Sequence, residues 1–404
     1  MNKTIGIIAT LDTKGIEAEY LKKKIQEQGC STIVLDVGSL GKPQAKADIS
    51  QEEIVRKGGE NFKKVIKKSR AEATRVMING AKNVVNQLFS EEKLDGVIAL
   101  GGSTGTSVGI SVMKILPVGF PKLMVSTFLF SEFIGKEDIT VMQTPVDILG
   151  INRIMKRTLT LAAASIVGMV NADNVCDSDK PLIGITALGV TTSAVMNTIK
   201  LLENKGYETV VFHINTDILD RLIEQGIIDG IIDLTPSELV KAYILEELPE
   251  RKNRMEKALE KGIPQVIVPG GLDMITLRST LKEAQIKYKG RILMEHNPYI
   301  TLVRTTKDEN IKLAKIIAEK ANRATGPVTI AIPLKGFSAV DKLGQNFYDP
   351  VIIKSFTKTI ENNIRKEVNL IRVDAHINDK EFAQKLIEIY ENNKKGSSCY
   401  EKNI

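Results

Sequence analysis

Short apolar runs alternate with amphipathic stretches along the whole chain. Residues 4–10 (TIGIIAT) form a run of buried-strand type, followed by a polar turn at 11–15 and helical spacing over 16–28 that stops at Gly29. A second β-rich run over 31–37 closes at Gly38. This order of strand, turn, helix and strand is the unit of a parallel sheet. Helical stretches over 50–68 and 70–92 follow, then a strand over 96–100, a glycine-rich turn over 101–106 that opens a helix, and a strand over 122–127. Residues 146–170 read as one long helix.

Residues 171–180 (NADNVCDSDK) carry no apolar period and read as a linker. The opening grammar then recurs: strand 181–188, turn 189–193, helix 194–205 ending at Gly206, strand 208–212. Further strands are expected at 227–234, 265–268, 292–294, 328–332 and 369–373, with helices between them. The expected fold class is therefore α/β, with two Rossmann-like lobes of mainly parallel sheet and a ligand cleft between them. The expected boundaries are 1–172, 180–392 and a frayed polar tail over 393–404.

Composition narrows the function. With 404 residues, 43% hydrophobic and 26% charged, the chain has the balance of a globular protein with a large core. The formal net charge is +7, but much of the excess lies in lysine runs such as Lys22-Lys23-Lys24 and Lys67-Lys68 on solvated helix faces. There is no arginine-rich arm, no zinc-finger spacing and no tryptophan, which argues against nucleic acid as a partner. The three cysteines, Cys30, Cys176 and Cys399, lie far apart, as suits a reducing compartment. No run reaches the roughly 18 apolar residues of a membrane span, and the N-terminus lacks a signal-peptide core. A cytoplasmic protein with no membrane partner is expected.

In parallel sheets, ligands sit beyond the carboxyl ends of strands, where helix N-termini present free amides. Asp12, Thr13 and Lys14 follow the first strand, and either hold phosphate or cap the helix. Gly101, Gly102, Ser103, Thr104, Gly105 and Thr106 form the strongest anion-loop candidate, because glycines admit close approach and hydroxyls add donors. This loop is neither G-x-x-x-x-G-K-[ST] nor G-x-G-x-x-G. It contains the letters G-x-S-x-G, but a hydrolase would also need a histidine and an acid beside Ser103. Thr127 falls on the same sheet edge. Thr191 and Thr192 occupy the equivalent turn of the second lobe, and Gly270 and Gly271 follow a later strand. For acid–base and anion-clamp roles the candidates are His213, Asp273, His296 and Arg304. His376 completes a set of only three histidines, each placed just after an expected strand. No metal site is expected.

Taken together, these motifs resemble the ATP-binding-domain family named for the tomato mosaic virus resistance protein of tomato. The resemblance runs over about residues 3–390. It is carried by 10–15 (TLDTKG), 101–106 (GGSTGT), 121–127 (PKLMVST), 189–192 (GVTT), 211–213 (VFH), 269–274 (PGGLDM), 296–298 (HNP), 304–306 (RTT) and 374–379 (DAHIND). It implies a two-lobed Rossmann-like fold, ATP as ligand with or without Mg2+, and a homodimer or higher homo-oligomer. Two departures stand out. Residues 214–220 (INTDILD) lack the glycine-rich stretch the family has after Val-Phe-His, and Thr104 stands where glycine is frequent. The leading expectation is a nucleotide-binding protein with a small anionic ligand. An enzyme acting on a phosphorylated or carboxylated metabolite and an interaction scaffold remain the alternatives.

Overall fold

The computed structural model describes residues 2–39, 41–128, 137–173, 178–213 and 216–400, the side chains only as far as residue 396. The chain divides into two compact units, Met1–Asp177 and Ser178–Ile404. Each is a Rossmann-like α/β unit built on a parallel sheet.

Unit 1 contains β1 (Thr4–Ala9), α1 (Leu11–Gln26), β2 (Ser31–Asp36), α2 (Gln51–Lys57), α3 (Phe62–Val65) and α4 (Arg70–Ser90). It continues with β3 (Gly96–Gly101), α5 (Ser103–Met113), β4 (Lys122–Ser126), β5 (Thr140–Gln143) and α6 (Arg153–Val170). Its five strands run in the order β2-β1-β3-β4-β5, all parallel. Side chains alternate across the sheet, so each apolar strand feeds two cores. Ile98 and Leu100 of β3 pack with α1 and α6, whereas Val97 and Ala99 pack with α4 and α5. Small residues set the helix distance: a Cβ at Gly109 of α5 would lie 2.6 Å from the Cβ of Ala99.

Two boundaries differ from the periodicity. The stretch 50–68 is two short helices, because Gly59 takes a positive φ of 81° between them. The long helix expected from residue 146 begins only at Arg153, where Asn152 caps the amides of Ile154 and Met155.

Unit 2 contains β6 (Leu182–Thr186), α7 (Thr192–Glu203), β7 (Glu208–Phe212), α8 (Asp217–Glu224), β8 (Gly230–Asp233), α9 (Glu238–Val240) and α10 (Glu256–Lys261). Next come β9 (Gln265–Ile267), β10 (Met274–Leu277), α11 (Leu281–Lys287), β11 (Leu293–Asn297) and β12 (Ile300–Arg304). The last elements are α12 (Lys307–Ala321), β13 (Val328–Pro333), α13 (Pro350–Asn363), β14 (Asn369–Val373) and α14 (Lys380–Tyr400). Six parallel strands run β14-β13-β9-β8-β6-β7. A separate antiparallel sheet, β10-β12-β11, was not legible in the pattern, because β10 and β12 are short and follow turn-rich segments. The expected frayed tail is instead helical to Tyr400. Tyr390 anchors that helix, its ring packed edge-on to Tyr207 with centroids 5.8 Å apart. Among the described residues, no helix is long and apolar enough to cross a membrane.

Candidate functional site

In both parallel sheets the chain reverses its winding direction after the first strand. The crevice at such a switch point is where open α/β sheets take ligands. In unit 1 this point lies between the carboxyl ends of β1 and β3, and a cavity of about 360 Å3 opens there. The loop after β1 contributes Thr10, Asp12, Thr13 and Lys14 to its wall, and the turn into α5 contributes Gly102, Ser103, Thr104 and Gly105. Thr127 follows β4, Asp147 follows β5, Val37 and Ser39 follow β2, and Arg70, Thr74 and Met77 come from α4.

The turn into α5 is the centre of this wall. Gly102 is the N-cap and offers no side chain to the helix amides, and the first turn contains no acidic residue. The first intrahelical bond is Thr106 N–H to the Gly102 carbonyl, 2.8 Å. The amides of Ser103, Thr104 and Gly105 are therefore those that an α-helix leaves without an internal acceptor. With the positive end of the helix dipole they favour an anion. A Cβ at Gly102 would meet only the Thr127 hydroxyl, at 3.6 Å, so this glycine faces open space.

Gly101 and Thr106 do other work. A Cβ at Gly101 would lie 2.7 Å from the Gly105 Cα, so Gly101 lets the turn fold back on the strand. Thr106 is buried, and its hydroxyl pairs with that of Ser126 at 2.5 Å. Neither lines the cavity.

The opposite wall starts at Thr10, which caps α1 without a side-chain bond and instead meets the Thr13 hydroxyl at 2.9 Å. Lys14 departs from helical geometry (φ −128°, ψ 19°), and its ammonium donates to the Ile148 carbonyl, which fixes a positive charge at the rim. The Asp12 carboxylate lies so close to Gly38 that a Cβ there would be 2.7 Å from its Cγ. Beneath the wall sits Asp36, fully buried at the end of β2. Its Oδ1 accepts from Leu11 N–H at 3.1 Å and Gly38 N–H at 2.9 Å, joining both loops. Burial raises its pKa, and the two amides oppose that rise. Arg70, Thr74, Asp147 and Asp36 were not among the sequence candidates. Arg70 reads only as the start of a helix, and nothing local places α4 over this strand edge. Asp36, a carboxylate ending an apolar strand just before Val-Gly, carried the one local signal.

Unit 2 distributes its candidates differently. Thr191 is fully buried and bonded to Thr235 at 2.8 Å, and Thr192 closes back on the Gly189 carbonyl at 2.9 Å. Gly270 is a packing glycine, since a Cβ there would lie 2.2 Å from the Leu234 carbonyl oxygen, and Gly271 takes φ 70°. Asp273 and Arg304 come together in the interior. The Arg304 guanidinium donates to the Asp273 backbone carbonyl at 2.9 Å and reaches Asp341 at 3.5 Å. Ser338 donates to the Asp273 carboxylate at 2.7 Å, and the buried His376 ring meets the Ser338 carbonyl at 2.9 Å. Burial, reinforced by the charge of Asp341, pushes the Asp273 carboxyl well above the usual range, and Arg304 opposes it. His213 and His296 are not part of this cluster: both are exposed, at the end of β7 and on β11. The departure after His213 falls partly on residues 214–215, which lie outside the described residues, as does Cys176. Unit 1 contains no histidine, so Ser103 has no imidazole of its own unit beside it. Among the described residues no cluster of three or more metal-ligating side chains occurs.

Fold and site together define a protein of two doubly wound α/β units, the first with an open, donor-lined switch point. The chain belongs to the uncharacterised protein family UPF0261, matching its N-terminal domain over residues 3–175 and its C-terminal domain over 180–393. A UPF0261 protein of Clostridium tetani is 40% identical over 404 residues, covering 97% of this chain and all of that protein. The ToMV resistance protein Tm-1(GCR237) of Solanum lycopersicum is 35% identical over 336 residues, covering 79% of this chain but 44% of the tomato protein. The S. aureus MnaA-UDP co-structure aligns over 97% of both chains at 12% identity with a TM-score of 0.20, a likeness too loose to carry a functional argument.

Proposed function

We propose that unit 1 binds a phosphate-bearing small molecule at its switch point, with ATP as the leading ligand. The observation that carries this reading is the uncapped N-terminus of α5, opened by Gly102 into the cavity between the ends of β1 and β3. Amides, hydroxyls and two cations meet there. Phosphate oxygens would accept from the first-turn amides and from Ser103, Thr104 and Thr127, with Lys14 and Arg70 balancing the charge. The volume is in the range of small-molecule sites. Asp12 and Asp147 are carboxylates, the donor type that Mg2+ takes when it arrives with phosphates.

Titration calorimetry and thermal unfolding of the purified chain with ATP and Mg2+ test the reading. ATP at saturation raises the unfolding midpoint by mass action. Gly102→Asp removes that shift, because its carboxylate occupies the anion position, whereas Gly102→Ala keeps the fold. A folded wild-type protein that takes up neither ATP nor any other phosphorylated metabolite at millimolar concentration ends the proposal. An ATP response unchanged by Gly102→Asp moves the site elsewhere.

A further inference from the structure

Among the described residues β14 is the outer strand of the six-stranded sheet, and no strand pairs along its other long edge. Such an edge is a row of backbone donors and acceptors ready to pair with another extended chain. Proteins often blunt edges of this kind with a bulge or a proline, and β14 (NLIRV) contains no proline and pairs with β13 in unbroken register. Beside it, between β14 and α13, lies a cavity of about 420 Å3. Leu334 and Ile353 supply apolar surface, and Lys354, Lys358 and Arg372 stand along it. The Arg372 charge is matched by Glu361 at 2.5 Å. Lys354 and Lys358, one helical turn apart on α13, make no ion pair among the described residues and are exposed. The groove is thus apolar within and cationic at its mouth.

We propose that this groove and edge form a docking surface for an acidic, extended peptide segment that adds a strand to β14. The segment would place an apolar side chain against Leu334 and Ile353 and carboxylates opposite Lys354 and Lys358. Strand addition supplies main-chain hydrogen bonds, while alternate side chains read the groove. The free edge, the apolar groove and the unmatched charge are three separate features converging on one occupant. None of them involves unit 1, so this inference stands or falls independently of the anion site.

The test uses the full chain and a fluorescently labelled peptide, acetyl-Glu-Val-Glu-Leu-Glu-Val-Glu-amide, read by anisotropy. The expected result is saturable binding that weakens with added salt and drops at least about tenfold in Lys354→Glu/Lys358→Glu. The double arginine variant retains it. Amide hydrogen exchange should show new protection in 369–373 when peptide is bound. Three results would overturn the proposal: equal binding of the peptide with lysine in place of glutamate, no change in the folded double glutamate variant, or protection that avoids β14. Decanoate competing for the groove while the peptide fails to protect β14 would reassign it to fatty carboxylates.

Discussion

The two units share a sheet plan and treat its switch point in opposite ways. In unit 1 the ends of β1 and β3 part around an open cavity with uncommitted donors. In unit 2 the ends of β6 and β8 are linked by the protein's own charges. Asp233, the last residue of β8, accepts from Thr186 of β6 at 2.8 Å and from the buried Arg254 at 2.7 Å. Glu238 takes the Arg254 Nε at 3.1 Å, and the Thr235 amide donates to Thr186 at 2.9 Å. Where unit 1 leaves the first-turn amides of α5 without a side-chain cap, unit 2 supplies carboxylates together with an internal cation. An α/β switch point is therefore a place of unmet polar demand that a ligand or a side chain can satisfy. Glycine at 102 leaves the demand open, whereas a long arginine on a later segment meets it from within.

The largest test of this contrast is Arg254→Met. It leaves Asp233 buried without its cation and Glu238 with Arg251 alone, at 3.4 Å, and should cost about 3–5 kcal/mol of stability by chemical denaturation. A cost below about 1 kcal/mol would mean that the two carboxylates find other compensation, and that the guanidinium is not what holds this network together.

The same cluster should respond to pH through Asp220, whose carboxyl is pushed up to about 7 by burial, with Glu238 and Asp217 adding and Arg254 opposing. A carboxyl that binds its proton more tightly when folded makes the protein lose stability as pH rises from the ordinary carboxylate range to about 7, after which the loss levels off. Asp220→Asn should flatten that slope and raise stability at pH 8 by an amount on the order of 2 kcal/mol. An unchanged slope between pH 5 and 8 would contradict this account.

Smaller effects separate packing threonines from those at the cavity wall. Thr106→Val, which removes one of the partners of the Ser126 hydroxyl, should cost about 1 kcal/mol of stability. Thr104→Val, at the cavity wall, should leave stability within about 0.5 kcal/mol and weaken only anion uptake. Equal stability losses in both would erase the distinction. Arg70→Ala is the mildest change. It should lower affinity for a phosphorylated ligand a few-fold and reduce its salt dependence without altering the unfolding midpoint, an effect worth about 1 kcal/mol or less.

The glycine turn before α5 was legible because its signal is local. A run of glycine and hydroxyl residues after an apolar strand dictates a tight turn and bare amides within a few residues of chain. The inward role of Thr106 was not legible, since its letter is the same as that of Thr104 and only the pitch of α5 turns it toward Ser126. In unit 2 the same composition serves packing as well. Thr191 bonds the Thr235 hydroxyl, and Gly270 lets the chain pass against the Leu234 carbonyl. The His213 and His296 candidates rested on position after a strand, a criterion that places a residue at a sheet edge without saying whether it points into a site.

The amino-acid order alone determined two α/β units, the strands of their parallel sheets except the edge strand β5, and the glycine turn at 101–105, because hydrophobic period and backbone permissiveness act over a few neighbouring residues. Tertiary structure decided what stands opposite each turn: Arg70 and Asp147 across an open cavity in one unit, Arg254 within a network of carboxylates in the other. Those partners lie tens of residues from the turns they face, and only the packing of helices on the finished sheets sets which charge arrives.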